Sequence, residues 1–333
     1  MKSLVAHGDN QLSLEESDGF EILSNEILVA PIATGICGTD LEIIHGKIDP
    51  AFVKYPIVPG HEWCGRVIKV GSAVDSVHIG ARVVAEGIIP CGICFECLRG
   101  HTNRCTTYEE LGFTKAGAAA EQIVVNARFV HAIADTVTNE SAVLVEPTAV
   151  VTQGLLKAQP SRGAKVLVIG DGTIGLIAAK VVHAWSPSEV HMVGLKEGQA
   201  ELAEKAGVDL FMTTSPSDKY DLIIDASGAS SRITEAVRQL VRGGTLLLLG
   251  FTGPDVKTSI SVDALVNGDL TIAASFGYSR KAWEMTVGFL NSGKLDLTFL
   301  VTHRFPLERY QDAIDALHNA PSPRGKIIFE IGK

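Results

Sequence analysis

Apolar and polar positions alternate in short runs over the first 135 residues, at Ile27–Ala33, Gly65–Val70, Ala81–Ala85 and Gln122–Asn126, with Gly and Pro between the runs. A period of two broken by turn residues predicts short antiparallel strands of a barrel or sandwich. From about Ser161 the pattern changes to apolar strand followed by helix, repeatedly. Strands are expected at Lys165–Ile169, Glu189–Val193, Tyr220–Ala226, Gly244–Leu249 and Leu270–Phe276, with helices from Thr173 to about Trp185, from Glu197 to about Ala206 and near Ser230–Leu240. That alternation predicts βαβ units and a doubly wound parallel sheet. The tail reverts to strand, helix and strand at Thr298–Phe305, Leu307–Ala320 and Lys326–Ile331, and is expected to rejoin the first domain. The fold class is therefore α/β, with a β-rich domain formed by 1–135 and 295–333 interrupted by a doubly wound domain at 136–294.

A chain of 333 residues with 46% hydrophobic and 20% charged residues suits two packed domains and excludes a disordered polymer. Its net charge of −9 and lack of a basic run give no footprint for nucleic acid. The first ten residues are too polar for a signal peptide, and no run of apolar residues has membrane-spanning length, so a cytoplasmic protein without a membrane partner is expected.

Gly170-Asp171-Gly172-Thr173-Ile174-Gly175 lies between an expected strand and an expected helix. In that context the glycines allow a tight turn, close approach of a pyrophosphate and helix–sheet packing, with phosphate on the free N–H groups of the helix. The second strand ends in Gly194-Leu195-Lys196. NAD-binding loops usually place an acidic residue there, whereas Gly makes room and Lys supplies positive charge, so NADP(H) is expected over NAD(H). Ser227 and Phe251 follow later strands of the same sheet and are further cofactor candidates.

Two groups of residues suggest metal. Cys91, Cys94, Cys97 and Cys105 offer four thiols within fifteen residues, a closed shell suited to structural Zn²⁺, with an iron–sulfur cluster as the rival. Cys37, in Gly35-Ile36-Cys37-Gly38-Thr39-Asp40, with His61-Glu62 and Glu146-Pro147, offers a mixed S/N/O set that would bind Zn²⁺ and leave an open position.

These motifs, in this order over nearly the whole chain, resemble the zinc-dependent medium-chain dehydrogenase/reductase superfamily, which contains alcohol, sorbitol and threonine dehydrogenases. The resemblance implies a GroES-like catalytic domain with a zinc lobe at about 90–106, split around a Rossmann domain, and a homodimer or homotetramer. It favours zinc for the four-Cys lobe, giving two Zn²⁺ per chain. It implies that Cys37 and His61 ligate the catalytic zinc, with the last protein position taken by Glu62 or Glu146. It further implies hydride transfer between a nicotinamide and a small-molecule alcohol or carbonyl. Thr39 would relay the substrate proton and Asp40 would orient a ligand. Many members carry a proton-passing His five residues after the zinc Cys; here that residue is Glu42, with His45 off register, so either Glu42 takes that catalytic role or the proton leaves through water. Glu rather than Cys at position 146 resembles the polyol and sugar dehydrogenase branch, so a polyol, sugar or cyclitol is the expected substrate. A zinc-free quinone or enone reductase on the same fold and a non-enzymatic nucleotide-binding protein are the alternatives.

Overall fold

The strand Glu26–Gly35 is the hub around which the N-terminal part of the chain is assembled. In the computed structural model, which describes residues 1–253 and 255–332, it pairs antiparallel with Glu62–Val70, Ile123–Asn126 and Lys326–Glu330. Glu62–Val70 continues to Arg82–Ala85 and then to Val130–Ala132, and Val301–Pro306 runs parallel to Lys326–Glu330. Alternate positions of these strands bury Ile27, Val29, Trp63, Val67, Val83 and Ile123 in one apolar cluster. A hairpin of Lys2–Gly8 with Gln11–Glu16, which the sequence pattern did not predict, precedes the hub.

The chain divides into two units. Met1–Glu146, Tyr278–Ala320 and Lys326–Lys333 form the first, and Pro147–Gly277 with Pro321–Gly325 the second. Boundaries at 135 and 295 are therefore displaced, because side chains bind 136–146 and 278–294 into the first unit. Ser141 Oγ donates to Asp296 Oδ1 at 3.0 Å, and Asn291 Oδ1 accepts from the Ala134 amide at 2.9 Å. The Tyr278 oxygen accepts from the Gly87 and Ile88 amides at 3.0 and 3.2 Å.

Among the described residues the second unit holds six parallel strands, β1 (Lys165–Ile169), β2 (Glu189–Val193), β3 (Leu210–Met212), β4 (Tyr220–Asp225), β5 (Leu240–Leu248) and β6 (Thr271–Ala274). Their order across the sheet is 3-2-1-4-5-6, the doubly wound order with its switch point beside β1. The helix after β1 spans Thr173–Val181 and passes into a 3₁₀ turn at Val182–Trp185. The helix expected from Glu197 likewise opens as a 3₁₀ turn, Glu197–Gln199, before Ala200–Lys205. Among the described residues no helix is long and apolar enough to cross a membrane.

Candidate functional site

Cys37 caps the short helix Gly38–Ile44, and Asp40 in its first turn reaches back so that Oδ2 accepts the Cys37 amide at 2.8 Å. This local motif fixes the thiol, which donates to Thr39 Oγ1 at 3.6 Å. The other Asp40 oxygen accepts from the Gly60 amide at 3.3 Å and lies 3.5 Å from His61 Nδ1. Asp40 thus touches both segments of the site and leaves Nε2 of the imidazole to face other groups. Glu62 begins its strand directly opposite Gly35, and the donor atoms of Cys37, His61 and Glu62 all lie within 4.8 Å of one another.

The charges around this cluster are strongly coupled. Burial works against the His61 imidazolium, but the Asp40 charge and the nearby Cys37 outweigh it and hold its pKa well above the usual value. Burial would raise the Asp40 pKa, yet the His61 charge and the Cys37 amide keep it lowered. Burial pushes Glu146 up to about 8; His61 opposes the rise and Glu62 and Glu110 add to it. Burial also takes Glu110 to about 7. A thiol, an imidazole and crowded carboxyl groups, of which Glu146 and Glu110 resist ionisation because they are buried, fit a divalent cation that takes soft and borderline donors.

Sequence reasoning missed three residues of this environment. Lys326, 4% exposed, places its ammonium against Glu62 Oε2, whose side chain is 2% exposed. Gly35 makes room for the pair, since a Cβ there would overlap Glu62 Oε2. Burial alone would lower the Lys326 pKa, but Glu62 and Cys37 raise it. Glu110 and Tyr278 complete the surroundings, with Tyr278 held high by burial and by Glu146 and Glu110. No motif marks any of the three; a Lys before an apolar strand or a Glu pair in a loop reads as solvated. Glu42 is exposed, and its side chain has no partner among the described residues, so the structure does not bring it into the cluster.

The four thiols of Cys91, Cys94, Cys97 and Cys105 form a separate group, with their sulfurs within 4.8 Å of one another. The Cys91 and Cys97 sulfurs are 4.0 Å apart, and none of the four is in a disulfide. Amides of Ile93 and Cys94 bring Cys91 down to about 6, whereas burial and the neighbouring thiols push Cys97 up to about 12. The lobe has little core of its own: Ile93, Phe95 and Leu98 are exposed. Four converging sulfurs on such a segment fit a closed metal shell that would supply the missing cohesion.

In the second unit, Gly170 adopts φ +112°, and a Cβ on Gly175 would overlap the Gly170 carbonyl, so helix and loop meet as a glycine pair allows. Gly172 caps the helix with open space where a Cβ would stand, and Thr173 and Ile174 form its first turn. That open cradle of helix N–H groups fits the pyrophosphate of a dinucleotide. Ser227 is held by Asp225, whose Oδ1 accepts its amide at 3.0 Å and its hydroxyl at 2.6 Å. Phe251 is 83% exposed. One expectation is corrected: the space beside Gly194 is not vacant. The Asp171 carboxylate fills it, and its Oδ2 accepts the Leu195 amide at 2.8 Å. The acidic group comes from the glycine loop instead of the strand end, which is why a motif search on β2 does not find it.

Residues 24–135 match the alcohol dehydrogenase GroES-like domain and residues 139–320 the glucose dehydrogenase C-terminus. D-arabinitol dehydrogenase 1 of Uromyces fabae is 29% identical over 332 residues, covering 95% of this chain and 94% of that protein. L-threonine 3-dehydrogenase of Yersinia pestis (strain Pestoides F) is 30% identical over 323 residues, 93% of each. A crystal structure of a short chain alcohol dehydrogenase from Escherichia coli CFT073, complexed with NADH, has a TM-score of 0.92 at 28% identity over 99% of both chains. Two consecutive domain matches, a relative alignable almost end to end and the paired sheet architecture agree: the chain belongs to the zinc-type medium-chain dehydrogenase superfamily.

Proposed function

We propose that this protein is a zinc-dependent dehydrogenase that transfers hydride between a nicotinamide dinucleotide and a CH–OH carbon of a polyol, sugar or cyclitol. The observation that carries the reading is the convergence of Cys37, His61 and Glu62 within 4.8 Å, with Glu146 electrostatically coupled to them. Cys37 and His61, with Glu62 or Glu146 as the last protein donor, would hold the zinc, and the loop Gly170–Gly175 the dinucleotide. When bound, the zinc polarises a substrate oxygen and the nicotinamide exchanges hydride. Asp40 accepts the Cys37 amide and lies 3.5 Å from His61 Nδ1, so one carboxylate acts on the segments that carry both donors. The Thr39 hydroxyl, 3.6 Å from the Cys37 sulfur, would take a proton from a substrate hydroxyl. Lys326 offsets the Glu62 charge, which limits the negative charge concentrated at the site.

The arabinitol dehydrogenase relative and the glucose dehydrogenase domain match support a polyhydroxylated substrate. The NADP(H) preference expected from Gly194 and Lys196 retains the exposed Lys196 as support and loses the vacant space at Gly194. Strand β6 is the last of its sheet, which supports assembly of copies edge to edge into a homodimer or homotetramer. Six unpaired thiols suit a reducing compartment such as the cytoplasm.

Nicotinamide absorbance during turnover tests the reading, with NAD and NADP each offered with polyols, sugars, cyclitols, amino alcohols and simple alcohols, with their ketones, and with enones and quinones. Oxidation of a polyhydroxylated compound is expected. Turnover confined to enones or quinones would favour the zinc-free reductase, and dinucleotide binding with no turnover of any class would favour a non-enzymatic protein.

A further inference from the structure

The end of β2 is where an acidic side chain ordinarily accepts hydrogen bonds from the adenosine ribose of NAD. In this chain β2 ends at Val193 and is followed by Gly194, with no acid. Asp171, the second residue of the glycine loop, reaches that position from the neighbouring strand's turn. Its Oδ2 accepts the Leu195 amide at 2.8 Å, and a Cβ on Gly194 would overlap the carboxylate. Gln199 Nε2 donates to the Asp171 carbonyl at 2.8 Å, which holds the loop residue in place. The remaining oxygen, Oδ1, has no hydrogen-bond partner among the described residues.

Two consequences bear on a phosphate at this spot. The Leu195 amide, the backbone donor a phosphate beyond the strand end would use, is already engaged. A carboxylate also stands where a second anion would have to sit, and like charges at close range disfavour each other strongly. Lys196 is exposed, and a solvated ammonium offsets little of that repulsion. A neutral ribose diol meets neither obstacle and can donate to Oδ1.

We propose that Asp171 selects the coenzyme: its carboxylate receives the ribose hydroxyls and excludes a 2′-phosphate, so the enzyme uses NAD(H) in place of the NADP(H) expected from Gly194 and Lys196. The proposal rests on the reading of the loop as a dinucleotide site. It makes the residue following the first glycine, not the strand end, the determinant of specificity.

Equilibrium binding of NADH and NADPH, followed by protein fluorescence without substrate, tests this on the native chain and on Asp171→Asn and Lys196→Ala. The native protein is expected to bind NADH at least about tenfold more tightly than NADPH. Asp171→Asn keeps an acceptor for the Leu195 amide and removes the charge, and is expected to shrink that ratio by roughly fivefold or more. Lys196→Ala is expected to move the NADH-to-NADPH ratio less than Asp171→Asn does, and a larger shift would overturn the assignment of Asp171. Preference of the native protein for NADPH, or a ratio unmoved by Asp171→Asn while both nucleotides bind, overturns the assignment of Asp171 alone. Failure of both nucleotides to bind overturns the dinucleotide site and the assignment together.

Discussion

Replacing Cys37 by Ala is expected to lower kcat/KM by about a thousandfold or more, because a zinc that polarises the substrate oxygen contributes several kcal/mol to the transition state. NADH affinity should remain within about twofold, since the glycine loop is built wholly within the other unit. The sulfur is one of three donors within 4.8 Å, and no other thiol belongs to that group. Its backbone is held by Asp40 independently of the side chain, so helix Gly38–Ile44 should form in the variant. Steady-state kinetics with dinucleotide binding measured in parallel separates the two effects. A Cys37→Ala enzyme with near-native turnover would remove the residue from the chemistry.

Lys326→Met is expected to destabilise the protein by about 3–5 kcal/mol, the usual cost of leaving one partner of a buried ion pair uncompensated. Lys326 and Glu62 have side-chain exposures of 4% and 2%, so solvent does little to relieve an orphaned carboxylate. The companion variant Glu62→Gln with Lys326→Met removes both charges and should recover a large part of the loss. Denaturant unfolding in a Cys37→Ala background, where no metal compensates Glu62, measures both. A single variant as stable as the native chain, or a double variant no better than the single, would show that the pair contributes little.

Much of this architecture was legible in the sequence because it rests on local pattern. Lys165–Ile169 and Glu189–Val193 are short strands in which every residue after the first is buried, and the structure has them at the same residues. The superfamily could be named from spaced motifs, since Cys37, His61 and the four clustered Cys stand in short stretches whose order is itself informative. What could not be read depends on contacts between distant segments. Lys326 meets Glu62 only because the tail strand pairs with Glu26–Gly35, and Tyr278 meets Gly87 across 191 positions of chain. The segments 136–146 and 278–294 joined the first unit through polar side chains such as Ser141, Asp296 and Asn291, which carry no periodic signal. Asp171 lay in full view within the glycine motif, but its role depends on which way the side chain turns. Turned toward Gly194, its carboxylate fills the space that the strand end alone suggested was free.

The zinc content of the purified protein, measured by mass spectrometry on the native chain and on Cys37→Ala, tests the central claim most directly. Two zincs per native chain and one in the variant are expected, the survivor held by Cys91, Cys94, Cys97 and Cys105. One zinc in both proteins would contradict a metal site at Cys37, His61, Glu62 and Glu146.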